Sequence, residues 1–167
     1  MEKLREHFDF LPNIEIAVEM DPRVLSSDDL AILTDKMGIN RASIGVQDFD
    51  GEVQAAVNRL QPYDLVARTV DDLRRGGITD LNLDLMYGLP FQRQDNFGAS
   101  ADLAVGLSPE RVTLFGYAHV PWMFSHQKLI NENDLPNAEA RLALFHDCML
   151  YTSDSADEGL GVDLGGR

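Results

Sequence analysis

Four stretches of this sequence set polar groups at the ends of apolar runs. Glu19-Met20-Asp21-Pro22 closes the segment IEIAVEM, and Gln47-Asp48-Phe49 follows Ser43-Ile44-Gly45-Val46. Asp84 sits inside LNLDLMY and leads to Gly88-Leu89-Pro90, and Tyr117-Ala118-His119-Val120-Pro121 follows VTLFG. Carboxylates answer cations and hydroxyls, and an amide both donates and accepts. Each residue alone has an ordinary explanation. Acids before Pro22 make a solvated turn, Gly88-Leu89-Pro90 stops a strand, a single His119 packs or faces solvent, and Arg59 is by default a solvated base. Asp84 is harder to place, because a carboxylate among Leu81, Leu83, Leu85 and Met86 needs a partner when buried; a structural salt bridge would also supply one. The coincidence at four places favours a pocket for a polar ligand.

The elements that must position these groups follow from periodicity. Ile14–Met20, Ala42–Val46, Leu81–Tyr87 and Val112–Tyr117 read as strands. Between them, Leu30, Leu33 and Met37 lie on one helical face behind a Ser26 or Ser27 cap and ahead of Gly38. Val53, Ala56, Val57 and Leu60 predict a second helix ending at Pro62. Leu65, Val66, Val70 and Leu73 predict a third, stopped at Gly76-Gly77. Phe97, Ala101 and Ala104 predict a fourth, and Ala138 to about Met149 a last one with Leu142, Phe145 and Met149 on its stripe. Strands alternating with helices imply an α/β fold with parallel strands and right-handed crossovers. About four βα units are too few for an eight-stranded barrel of about 250 residues, so an open sheet or a piece of a barrel is expected. In either, ligands meet the C-terminal strand ends.

Composition narrows the classes. The 167 residues, 44% hydrophobic, suffice for one core. With 28 acidic and 14 basic side chains the formal net charge is −14, which argues against nucleic acid as a partner. No apolar run approaches the roughly 20 residues of a membrane span, and MEKLREHFDF has no apolar signal core. A cytoplasmic protein with no membrane partner is expected. Cys148 is the single cysteine, so an internal disulfide is impossible. There is no GxGxxG before a helix, no P-loop, no HExxH, no metal-type cysteine cluster and no nucleophile elbow.

Four longer stretches carry a resemblance. VEMDPR, GVQDFDGEVQAAVNRLQ, LNLDLMYGLPFQ and FGYAHVPW, in this order and at these intervals, resemble the oxygen-independent coproporphyrinogen III oxidase family of radical S-adenosylmethionine (SAM) enzymes. The likeness covers roughly residues 5–150. It implies a partial (β/α) TIM-like barrel of the radical SAM type, with residues 1–150 as its domain. It implies SAM and a [4Fe-4S] cluster as cofactors. Glu19, Gln47, Arg59 and Asp84 match the family's SAM contacts, and Phe115 and Ala118 match positions that bind adenosyl cofactor, including a second molecule. The implied reaction is oxidative decarboxylation of two propionates of coproporphyrinogen III to vinyls, started by a 5'-deoxyadenosyl radical and giving protoporphyrinogen IX for heme biosynthesis. An electron donor is implied without being identified, and the full-length form is expected to be a monomer. Arg23 and Arg59 are candidates to face the substrate's four carboxylates.

The same resemblance implies what this chain lacks. It is expected to start before the third barrel strand, without the three-cysteine cluster loop or the glycine-rich turn that holds the methionine part of SAM. It should therefore bind no cluster and turn nothing over alone, and its exposed sheet edges predict poor solubility. The last stretch, LYTSDSADEGLGVDLGGR, has no strand and no helical stripe. Residues 151–167 are expected to be an unrelated or disordered tail, similar to a translated sequencing-library adapter. The alternatives are a heme chaperone of the same superfamily, which typically lacks the VNR and YAH versions of the motifs; an unrelated nucleotide-binding α/β domain, which would need a phosphate-binding glycine loop; and an inactive truncated fragment.

Overall fold

A computed structural model describes residues 2–156 and 161–163. Five parallel strands form one sheet in the order β1 (Ala17–Met20), β2 (Arg41–Gln47), β3 (Asp80–Tyr87), β4 (Arg111–Gly116) and β5 (Gly161–Asp163). Order in space therefore equals order in sequence, as expected of successive βα crossovers in a barrel wall. The helices are α1 (Glu2–Arg5), α2 (Ser27–Asp35), α3 (Gly51–Ala56), α4 (Tyr63–Arg75), α5 (Gln94–Gly106) and α6 (Ala138–Ala156). Helix α2 packs on α4, and α5 packs on α6.

Alternation along each strand divides the sheet into two unlike faces. Ala42, Ile44, Val46, Leu81, Leu83, Leu85 and Val112 point one way and join Leu30, Val66, Val70, Leu73, Ala101 and Ala104 in the main core. The opposite face carries Glu19, Arg41, Ser43, Asn82, Asp84, Thr113 and Phe115, which line one open cavity. That division supports the partial-barrel expectation: the helical layer covers one face, and the other is the barrel's interior wall.

Local chemistry explains the borders. Ser26 caps α2 in a reciprocal capping box with Asp29, and Gly38 takes φ +70° just past its end. Helix α3 is shorter than its apolar spacing predicts. It ends at Ala56, Asn58 turns to φ 52°, and Leu60 is left 63% exposed. The residues after α3 are instead drawn toward the sheet, where Gln54 Nε2 donates to the Asp48 and Gln61 carbonyls, both at 2.8 Å. The expected stripe of α6 is also shifted. Leu144 and Cys148 are buried with Phe97, while Leu142 is 57% exposed. Cys148 is thus a core residue.

Helix α6 runs past residue 150 to Ala156, and β5 pairs with β4 through Arg111–Gly161, Val112–Val162 and Thr113–Asp163. Both differ from the strandless, helix-free stretch the sequence led us to expect there. The rest of the predicted tail, 157–160 and 164–167, lies outside the described residues.

Candidate functional site

The six candidate residues fall into two neighbouring depressions at the C-terminal half of the sheet. Glu19, Asp84 and Phe115 line a cavity of about 390 Å³ over the open sheet face. Gln47, Arg59 and Ala118 line one of about 640 Å³ at the strand ends, walled by Met86, Leu89, Tyr117 and Ile130. Asp84 is not at a strand terminus. It lies in the middle of β3, in register with Gly45 of β2 and Thr113 of β4.

Asp84 owes its placement to period two: Asn82 and Asp84 share the open face, and β2 presents Ser43 beside them. Asn82 Nδ2 donates to Asp84 Oδ1 at 2.7 Å and to Ser43 Oγ at 2.7 Å. Ser43 Oγ donates to Asp84 Oδ2 at 3.0 Å, and Thr113 Oγ1 donates to Asn82 Oδ1 at 2.9 Å. Two neutral donors, Ser43 and Asn82, satisfy its oxygens. Burial raises its pKa; the Ser43 and Asn82 bonds pull it down, and nearby Glu19 pushes it up again. The salt bridge that would have been the bland explanation of Asp84 is not what holds it.

Gln47 closes β2 in an unusual backbone state. A register shift between Gly45 and Gln47 leaves Val46 as an extra residue, and Gln47 has φ 71°. A non-glycine residue in this region carries roughly 1–3 kcal/mol of strain. The turn is fixed from below by Asp48, which is 1% exposed. Asp48 Oδ1 accepts from the Asp50 amide and Ser100 Oγ, both at 2.7 Å, and Oδ2 accepts from Gln92 Nε2 at 2.5 Å. Burial raises the Asp48 pKa against these three donors. One carboxylate thus ties β2 to α3, to the loop after β3 and to α5, which leaves Gln47 as the side chain that faces the cavity.

Arg59 reaches the same turn from the far side of α3. Its Nη2 donates to the Gly45 carbonyl at 2.8 Å, and its Nη1 lies 3.2 Å from Asp21 Oδ2. Gly45 leaves room for both side chains: a Cβ would stand 3.1 Å from Arg59 Nη2 and from Gln47 Nε2. Asp21 is shared with Arg23, whose Nε and Nη2 donate to it at 3.0 and 2.6 Å. The Arg23 bond, aided by both guanidinium charges, holds Asp21 down to about 2. Arg23 is therefore not a free rim cation but half of this cluster, whose formal charge of two arginines and one aspartate is +1. Burial lowers the Arg59 pKa. Two buried atoms here lack a partner: Gln47 Oε1 and Arg59 Nε.

His119 is accounted for locally. Its Nδ1 lies 3.1 Å from Tyr117 Oη, and its Nε2 3.5 Å from Glu132 Oε1. Sequence reasoning missed Asn82, Ser43 and Thr113, although Arg41-x-Ser43-x-Gly45-x-Gln47 and Asn82-x-Asp84 alternate with apolar neighbours and so mark the polar face.

Unpartnered Gln47 Oε1 would accept from a hydroxyl or ammonium, and the Arg59 Nε edge would suit a carboxylate. Asp84 and exposed Glu19 add acceptors for cations and sugar hydroxyls. That set fits SAM. It does not fit an iron–sulfur cluster, because one buried Cys148 cannot supply three thiolates.

In sequence and fold, the chain is similar to known proteins. The radical SAM superfamily profile matches residues 1–104. The oxygen-independent coproporphyrinogen III oxidase of Cereibacter sphaeroides is 43% identical over 154 residues, 92% of this chain and 34% of that protein. The protein of the same name from Escherichia coli is 37% identical over 163 residues, 98% of this chain and 35% of its own length. The solved structure of the Escherichia coli coproporphyrinogen III oxidase, a radical SAM enzyme, superposes with a TM-score of 0.88 at 38% identity, over 92% of this chain and 35% of that one. The archaeal Elp3 of Methanocaldococcus infernus superposes with a TM-score of 0.64 at 12% identity, a likeness of fold alone. The chain spans about a third of the length of the curated relatives it matches.

Proposed function

This chain belongs to the radical SAM superfamily, and we propose that it is the SAM-binding middle of an oxygen-independent coproporphyrinogen III oxidase. The observation that supports this most is the pair of unpartnered buried atoms, Gln47 Oε1 and Arg59 Nε, in two side chains that line a strand-end cavity, in a chain 43% identical to an enzyme of that name. The whole enzyme converts two propionates of coproporphyrinogen III to vinyls with loss of carbon dioxide, and SAM, when bound, supplies the radical chemistry that removes hydrogen.

The residues of this chain bind and orient. Asp84 and Glu19 accept from the ammonium and the ribose hydroxyls of SAM. Gln47 adds a neutral acceptor, which the strained turn keeps pointed at the cavity. Arg59, anchored through Nη1 and Nη2, turns its remaining edge to the SAM carboxylate. Phe115 lines one cavity and Ala118 the other, and each offers an apolar surface to an adenosyl group. The single positive charge of the Asp21–Arg23–Arg59 cluster also faces propionates better than the acidic surface around it. The cluster cysteines and the electron donor belong to parts outside this chain, and the assembled enzyme works as a monomer.

The test is anaerobic turnover of the full-length protein with reconstituted cluster, SAM, reductant and coproporphyrinogen III. Protoporphyrinogen IX and two equivalents of carbon dioxide are expected. Tight heme binding with no decarboxylation would overturn the reading in favour of a heme-handling relative. Residues 151–167 are given no part in it. We propose that they differ in origin from the rest of the chain although β5 joins the sheet, tested by the genomic sequence downstream of residue 150: divergence there supports the adapter origin, and the same sequence contradicts it.

A further inference from the structure

We propose that Asn82 is a positioning residue for SAM: it reads three strands at once and sets the Asp84 carboxylate in the orientation that receives the ligand. The inference rests on the function proposed above. Asn82 is only 5% exposed, a buried amide between Leu81 and Leu83. It spends its hydrogen-bonding groups on directed contacts. The Thr113 hydroxyl on β4 donates to Oδ1, which fixes the amide so that Nδ2 faces Asp84 and Ser43. Ser43 accepts from Asn82, so its own hydrogen is free to go to Asp84 Oδ2. Both Asp84 oxygens therefore receive a donor from the sheet, and their remaining lone pairs point over the cavity lined by Glu19 and Phe115.

The arrangement has a purpose that sheet stability does not need. Parallel strands are already joined by their backbones, and Leu or Val would fill position 82 without burying an amide. What a Leu could not do is keep a half-buried, cation-free carboxylate ionised and aimed. The ionisable groups around this face are Glu19 on β1, Arg41 on β2 and Arg111 on β4. Arg41 pairs with Glu15 and Arg111 lies 3.7 Å from Asp80, and the charge that acts on Asp84 is the like charge of Glu19. The neutral network opposes it.

The test is equilibrium dialysis of SAM against the cluster-loaded full-length protein without reductant, so that no turnover occurs, from pH 5 to 9. At pH 8, Asn82→Ala raises Kd about tenfold or more, the usual weight of a hydrogen bond to a charged group. The acid limb moves too: with its donors gone, Asp84 protonates more readily, so affinity falls off at a higher pH than in the native protein. Thr113→Val, a near-isosteric change that only frees the amide to turn, gives a smaller shift in the same direction. Ser43→Ala and Thr113→Val carry the test by themselves if Asn82→Ala does not fold. Native Kd and native acid limb in the folded variants overturn the inference. Asp84→Asn separates the two layers: if it abolishes binding while the network variants leave it untouched, the function stands and the positioning role falls. If the native protein itself does not bind SAM, it is the function that falls.

Discussion

The two faces of the sheet are built from the same strands and do opposite work. On the covered face, residues 42, 44, 46, 81, 83 and 85 are apolar and at most 1% exposed. On the open face, positions 43, 82, 84 and 113 are small or polar and bond to one another rather than to backbone. Period two makes this possible, because neighbours in sequence look in opposite directions. The lesson is that stability and ligand chemistry are separated by a single residue step, so adjacent substitutions should have effects of different kinds.

The largest expected effect breaks the covered face. Leu83→Ala, at a side chain with no exposed surface, should cost about 2–5 kcal/mol in urea unfolding, against much less for Asn82→Ala next to it. Equal losses at 82 and 83 would erase the distinction between the faces.

Asp48 sharpens the comparison, since it is a buried acid at the seam between the faces. Asp48→Asn keeps the size but sets an amide nitrogen against the Gln92 Nε2 donor, at a cost of about 1–3 kcal/mol. Its pH dependence has a definite sign. Burial raises the folded-state pKa above that of an ordinary aspartate, so the folded form holds its proton more tightly than the unfolded chain. The stability this contributes is present below the unfolded pKa and is lost as pH rises through the folded one. Stability curves between pH 4 and 7 should therefore be flatter in Asp48→Asn than in the native protein; parallel curves would show that the Asp48 proton is not coupled to folding.

Gly45→Ala is a gentler change on the open face. Its Cβ meets Arg59 and Gln47 at 3.1 Å, and both can shift by a few tenths of an ångström. A several-fold loss of SAM affinity is expected, on the order of 1 kcal/mol, with little change in melting temperature. The smallest effect is Leu60→Ala, exposed and outside α3, which should change stability by under about 0.5 kcal/mol. A large loss there would mean that Leu60 packs as the sequence periodicity had suggested.

Much of this was legible in the sequence because alternation and capping are local. All four expected strands formed within a few residues of their predicted limits, and Ser26 and Gly38 bound α2 as expected. Leu60 and Leu142 were misread for one reason: both continue an apolar spacing, but the chain after α3 is pulled to the sheet by Gln54 and Gln61, and α6 is rotated so that Leu144 and Cys148 face Phe97. Those are tertiary decisions. Of the candidate site, the residue types were visible, but the division of six residues between two cavities was not. Neither was the sharing of Asp21 by two arginines, nor the left-handed turn at Gln47, which exists because a bulge inserts Val46.

The most direct measurement is hydrogen exchange of the full-length protein with and without SAM. Slower exchange is expected in peptides covering 17–23, 43–49, 57–61 and 82–87, with α4 and α5 unchanged on the covered side. Protection confined to α4 and α5, or no protection anywhere in this segment, would contradict the assignment of the open face as the binding face.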